Sequence, residues 1–276
     1  MKDYLVELKS DREAVVGACD SEWIKGTISK LEEIVGVKLR SADQKYELRL
    51  PICRKYPECS EPLRGHPKID TLNAAQFYAE LPIEAAEEGR KFDVLGYYIP
   101  PVGVLGAVVA LCWGKITREA NRLKVPVRDL TRVIMIHELA HLVSHLGFKP
   151  EYFNNTNNDY WAAFDCRDEA NVSDLREIVA QMATEDYLRL ANNQSLTIVS
   201  EELLKHQSDC YTAHRKLIEE FGDKIKYFWP SFRRRRNGIS NKGIQTRTAL
   251  DIARDWISAE AEIEGGNDAA GANLDF

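Results

Sequence analysis

The sequence predicts an α+β fold, built as one large domain with appendages. Three observations carry that expectation. Residues 129–146 are apolar almost all round, as a helix buried on every side must be. Residues 94–114 form a run of 21 uncharged residues that Pro100-Pro101 and several glycines break into two short β-type pieces. Apolar residues at helical spacing recur both before and after that pair.

Composition bounds the rest. The chain has 276 residues, 44% hydrophobic and 29% charged, which is ordinary globular usage and enough for a sizeable core. Collagen-like, coiled-coil and wholly disordered classes are excluded. With 37 Lys+Arg against 43 Asp+Glu the net charge is −6, which argues against a surface built throughout to coat nucleic acid. The six cysteines are scattered without a CxxC pair, and the opening Met1-Lys2-Asp3-Tyr4 has no apolar secretory core. Reduced thiols in a cytoplasm are therefore expected. Residues 94–114 are long enough to span a bilayer, but their Pro and Gly interruptions favour a buried hairpin.

Taken in order, residues 1–20 form a lead-in. From Ser21 a helix is expected, because Trp23, Ile24, Ile28, Leu31 and Ile34 share one face and Gly36 stops it. Residues 37–39 and 46–50 alternate like half-buried strands, followed by a Pro-rich loop over 51–70. Cys53, Cys59 and His66 lie in that loop, without the spacing of a common zinc finger. Strand-like segments at 92–95 and 106–113 precede a short helix near 116–123. The buried helix at 129–146 is closed by Gly147 and Pro150. A further helix is expected over 174–190, with Ser173 as N-cap and Leu175, Ile178, Val179 and Met182 facing a core.

The main domain is thus assigned to residues 21–222. Residues 223–257 read as a basic, aromatic helical extension. Its segment 224–247 holds Lys224, Lys226, Arg233, Arg234, Arg235, Arg236, Lys242 and Arg247 with no acid. Residues 258–276 read as an acidic, disordered tail.

The chemistry lies in the buried helix, which carries His137-Glu138-Leu139-Ala140-His141. Histidines at i and i+4 stand one turn apart on one face, so both imidazoles can reach a single metal ion. Glu138 projects beside them, placed to deprotonate an attacking water without being a ligand. Three ionisable groups on an otherwise apolar helix need partners, since burying them unpaired costs several kcal/mol each. One zinc ion satisfies all three.

A catalytic zinc needs a third protein ligand. Glu177 is the candidate, flanked by apolar residues on the following helix; Asp165, Asp168, Glu169, Asp174 and His214 compete, and a first-turn capping role for Glu177 is the plain alternative. His145 stands two turns above His137, too far to share the ion.

HELAH followed by a helical Glu177 resembles the zincin metallopeptidases, in the gluzincin branch whose third ligand is a glutamate. The resemblance covers residues 21–211 and extends to the LGYYIPP and GAVVALCW segments, which are similar to the sheet of such proteins, whose edge strand borders the cleft. It implies a small twisted sheet packed on the motif helix, with further helices below. It implies His137, His141 and Glu177 as ligands of one catalytic zinc and Glu138 as general base. The implied activity is hydrolysis of a protein or peptide substrate. The residue that stabilises the oxyanion stays open among Tyr160, Tyr187, Tyr211 and His214. A second function is a binding or regulatory module on the same fold, in which residues 224–247 recognise nucleic acid, through phosphate contacts and stacking, or a partner protein; the acidic tail of the same chain is the other expected partner of that segment.

Overall fold

A computed structural model describes residues 13–39, 46–49, 95–99, 107–147, 169–207, 209–236 and 248–271. Helix α1 (Ser21–Val35) starts where Asp20 accepts a hydrogen bond from the Trp23 backbone N–H at 2.8 Å, and it buries Ile24, Ile28, Leu31 and Val35. Gly36 ends it at φ 70°, a left-handed conformation that glycine adopts without a Cβ clash.

Strands β1 (Tyr46–Arg49), β2 (Gly96–Ile99) and β3 (Ala107–Leu111) make one sheet in the order β1–β3–β2. β3 runs parallel to β1 and antiparallel to β2, with Gly96 opposite Leu111 and Ile99 opposite Val108. The two β-type pieces of residues 94–114 thus pair with each other. No helix among the described residues is long and apolar enough to cross a membrane.

Helices follow: α2 (Trp113–Leu123), α3 (Val127–Leu146), α4 (Glu169–Ala191), α5 (Gln194–Leu204) and α6 (Asp209–Phe221). A 3₁₀ segment (Gly222–Tyr227) leads to α7 (Phe228–Arg235) and then α8 (Ala249–Gly271). The expected α+β class is therefore corrected: the described fold is mainly helical. Its strands hold only four, four and five residues, while helices build the body. Residues 37–39 alternate like a strand but contribute only an isolated bridge at Lys38.

The motif helix α3 is the hub. It packs against α1, α2, α4, α5, β2 and β3, and Leu130, Ile136, Leu139, Ala140, Leu142 and Val143 are completely buried. That explains why its sequence lacks a polar face.

Two further expectations change. α4 begins at Glu169, so Ser173 lies inside the helix rather than capping it, and Glu177 sits more than a turn beyond any capping position. The basic extension and acidic tail are not appendages among the described residues. α7 buries Phe228 and Phe232 against Trp256 of α8, and Trp229 Nε1 donates to Asp186 of α4 at 2.8 Å. α8 continues through residues 258–271 and carries the buried Glu260. Cys53, Cys59 and His66 lie outside the described residues.

The four consecutive arginines each have a partner within the chain, Arg234 while remaining exposed. Arg233 Nη1 donates to the Val35 carbonyl at the end of α1, 3.1 Å away. Arg234 and Arg235 hold Glu260 at 3.1 and 2.8 Å, and Glu260 is only 1% exposed. Arg236, buried, donates to the carbonyls of Ser144 and Gly147 at the end of α3. A guanidinium there satisfies carbonyls that the helix leaves unpaired and complements its negative end.

Candidate metal centre

α3 places His137 and His141 one turn apart, with their Nε2 atoms facing each other at 3.1 Å. α4 packs across them and brings in Glu177, whose Oε2 is 3.0 Å from His137 Nε2 and Oε1 3.4 Å from His141 Nε2. One ligand atom from each residue falls within 4.8 Å of the others. Zinc bonds of 2.0–2.1 Å at tetrahedral angles give ligand–ligand edges of about 3.3 Å. The Nε2–Nε2 separation and the approach of one carboxylate oxygen to each imidazole are close to that length, and two imidazoles with a carboxylate are a zinc donor set. The residues fit the ion.

Of the competing ligands, Asp165 and Asp168 lie outside the described residues. His214 is not at the centre: it is fully buried on α6, with Nε2 2.5 Å from Glu185 of α4. His145 also stays apart from the donor cluster. Its Nδ1 shares a hydrogen bond with the Tyr98 hydroxyl at 2.6 Å, while the Tyr98 ring lies nearly parallel to that of His141, centroids 6.3 Å apart.

Electrostatics around the triad show what it requires. Burial opposes ionisation of Glu177, but attraction to His141 and hydrogen bonds from both imidazoles hold its carboxyl well below the usual carboxylate range. Burial also opposes protonation of both histidines. At His137 the Glu177 hydrogen bond wins and its pKa rises; at His141 burial wins and its pKa falls. Glu138 is pushed up to about 8 by burial, against the pull of His137 and with a contribution from Glu177. A buried cluster of this charge pattern is stabilised by a cation held at its centre.

Glu138 is fixed by a close approach from the sheet. A Cβ added to Gly96 would stand 2.7 Å from Ile134 Cγ2 and 3.0 Å from both Cγ and Oε1 of Glu138. Only glycine lets β2 pass so near the carboxylate. Among the open oxyanion candidates, Tyr187 is committed elsewhere, its hydroxyl 3.2 Å from Thr27 Oγ1, and Tyr160 lies outside the described residues. Tyr211 is the one at the centre, its ring centroid 6.0 Å from that of His137.

A cavity of about 380 Å³ opens beside the triad, reached by His137, Glu138, Gly96 and Tyr211 and continuing between α4 and α5. Gln181, Ser200 and Gln207 line its inner part. Sequence reasoning passed over these three; for Gln181 a signal existed, because it stands one helical turn beyond Glu177 on the same face. No protein-family model, curated protein or solved structure matches the chain, so its function is argued from this site alone.

Proposed function

We propose that this chain is a zinc-dependent peptidase in which His137, His141 and Glu177 hold the metal and Glu138 is the general base. The observation that carries the reading is the convergence of two imidazoles and one carboxylate from two separate helices, each Glu177 oxygen 3.0 to 3.4 Å from a histidine Nε2. The resemblance of HELAH and its later glutamate to the gluzincins points the same way.

Zinc bound there supplies Lewis acidity, which acidifies water and polarises a carbonyl. Glu138 takes the proton of the attacking water at a carboxylate oxygen and delivers it to the departing amide nitrogen. Burial raises the pKa of the Glu138 carboxyl in the metal-free site, and a zinc ion held beside it would favour the carboxylate that acts as base. The Tyr211 hydroxyl serves as donor to the carbonyl oxygen as charge develops there. β2 stands at the end of the described strand order, beside the Glu138 carboxylate, where an extended peptide would be presented to the base.

The nucleic-acid alternative is less favoured, because Arg233, Arg235 and Arg236 are engaged with Val35, Glu260, Ser144 and Gly147. Cleavage of a quenched-fluorescence peptide library by zinc-loaded Glu138→Gln protein tests the peptidase reading. The expected loss is at least about 100-fold with zinc content unchanged; parental rates would contradict it.

A further inference from the structure

We infer that the cavity beside the triad is a selective subsite for a neutral, amide-bearing substrate side chain, of which glutamine is the natural case. This rests on the peptidase reading for why a peptide is presented there, and adds which peptide is preferred. The carrying observation is a set of polar groups with nothing to bind. Gln181 is 6% exposed and Ser200 7% exposed, both line the cavity, and neither side chain makes a hydrogen bond among the described residues. The buried Oε1 of Gln207, on the same wall, likewise has no hydrogen-bond partner among the described residues.

Buried amides and hydroxyls are nearly always satisfied, and leaving one unpaired costs about 1–3 kcal/mol. Gln207 Oε1 is such an atom, and Gln181 and Ser200 add hydrogen-bonding groups on the same cavity wall, so a ligand with matching donors and acceptors completes the set. Gln181 offers both a donor and an acceptor, Ser200 offers both, and Gln207 Oε1 accepts. A primary carboxamide has two N–H donors and one acceptor oxygen, which matches that set. Leu203 and Ile134 supply apolar wall for the aliphatic stem that carries it.

Charge argues against the alternatives. Glu119 and Arg122, at the rim, are already joined by hydrogen bonds of 2.8 and 2.5 Å, so neither awaits a charged side chain. The inner wall of Gln181, Ser200 and Gln207 carries no charge, and an ion buried there without a partner would be strongly disfavoured. A purely aliphatic side chain would leave all three polar groups unsatisfied, which is how a hydrogen-bonding pocket rejects an isostere. The location fits as well: Gln181 is one turn from Glu177, so the subsite abuts the scissile position.

The test uses zinc-loaded Glu138→Gln protein and four capped peptides, acetyl-Ala-Xaa-Ala-amide, with Xaa as glutamine, norleucine, lysine or glutamate. Isothermal titration calorimetry reads affinity, and the zinc content of the same samples is measured in parallel. The glutamine peptide should bind about tenfold or more tighter than the norleucine peptide. Gln181→Leu should erase or invert that ratio, and Ser200→Ala, a milder change that keeps the fold, should reduce it. Equal affinity across the four peptides, or binding of none, overturns the subsite whether or not zinc is present. A retained glutamine preference in protein that cannot hold zinc supports the subsite and sinks the peptidase reading instead.

Discussion

Arg236 Nη1 donates to the carbonyl of Ser144 at 2.6 Å, joining two residues 92 positions apart in the chain. The second guanidinium nitrogen holds Gly147, so a single buried arginine closes the C-terminal end of the helix that carries both metal-binding histidines. Arg236→Met removes both charge-assisted bonds and leaves buried carbonyls unsatisfied. Chemical denaturation should show a loss of about 2–3 kcal/mol. Arg236→Lys should recover only part of it, because an ammonium cannot reproduce the two-pronged contact. Unchanged stability in the Met variant would show that the end of α3 needs no such closure.

Gly96 sets the position of Glu138. Gly96→Ala places a methyl where Ile134 Cγ2 and the Glu138 side chain already stand, at 2.7 and 3.0 Å. Either β2 shifts or Glu138 moves, and displacement of a general base by a fraction of an ångström is costly in rate. The variant should lose about tenfold or more in kcat with its zinc content intact. Parental kcat would show that the strand does not fix the carboxylate.

His145 makes the apo protein sensitive to mild acid. Burial, reinforced by Arg236, Arg176 and His141, holds its imidazole down to about 3, against an ordinary value of 6.5. The unfolded chain therefore binds a proton below pH 6.5 that the folded chain refuses. Stability is fully present above pH 6.5 and declines as pH falls toward 3, by up to about 1.4 kcal/mol per unit from this group. Denaturation midpoints of chelator-treated protein between pH 7 and 5 should fall less steeply in His145→Gln than in the parent. Identical slopes would contradict this origin. Glu185, whose pKa burial would raise but the His214 hydrogen bond lowers, adds its own loss only at more acidic pH.

The motif helix was legible in the sequence because three ionisable residues stand in an otherwise apolar stretch, and that contrast survives any uncertainty about element ends. Glu177 was legible for a similar reason, set among Ile178, Val179 and Ala180, although the start of its helix was not: Glu169 and Ala170 extend it past the Ser173 that local capping preference favours. The fold class was misread because short alternating segments imply strands without revealing how few residues pair. The arginine run was legible only in part: its pairing with the acidic tail was among the expectations, and Glu260 bears it out, but its contacts to helix ends were not. Composition cannot distinguish guanidinium groups facing solvent from groups that satisfy helix ends and a buried carboxylate brought near only by folding, as Val35, Ser144 and Glu260 are. Gln181 escaped notice because its place on a cavity wall becomes visible only when the cavity around it is seen.

The central claim is that His137, His141 and Glu177 hold one zinc ion. Zinc stoichiometry by elemental analysis of parent, His141→Ala and Glu177→Ala proteins after dialysis against dilute zinc tests it most directly. One equivalent in the parent and a loss of occupancy of at least about tenfold in both variants is the predicted result. Full occupancy in Glu177→Ala, or no bound zinc in the parent, would contradict it.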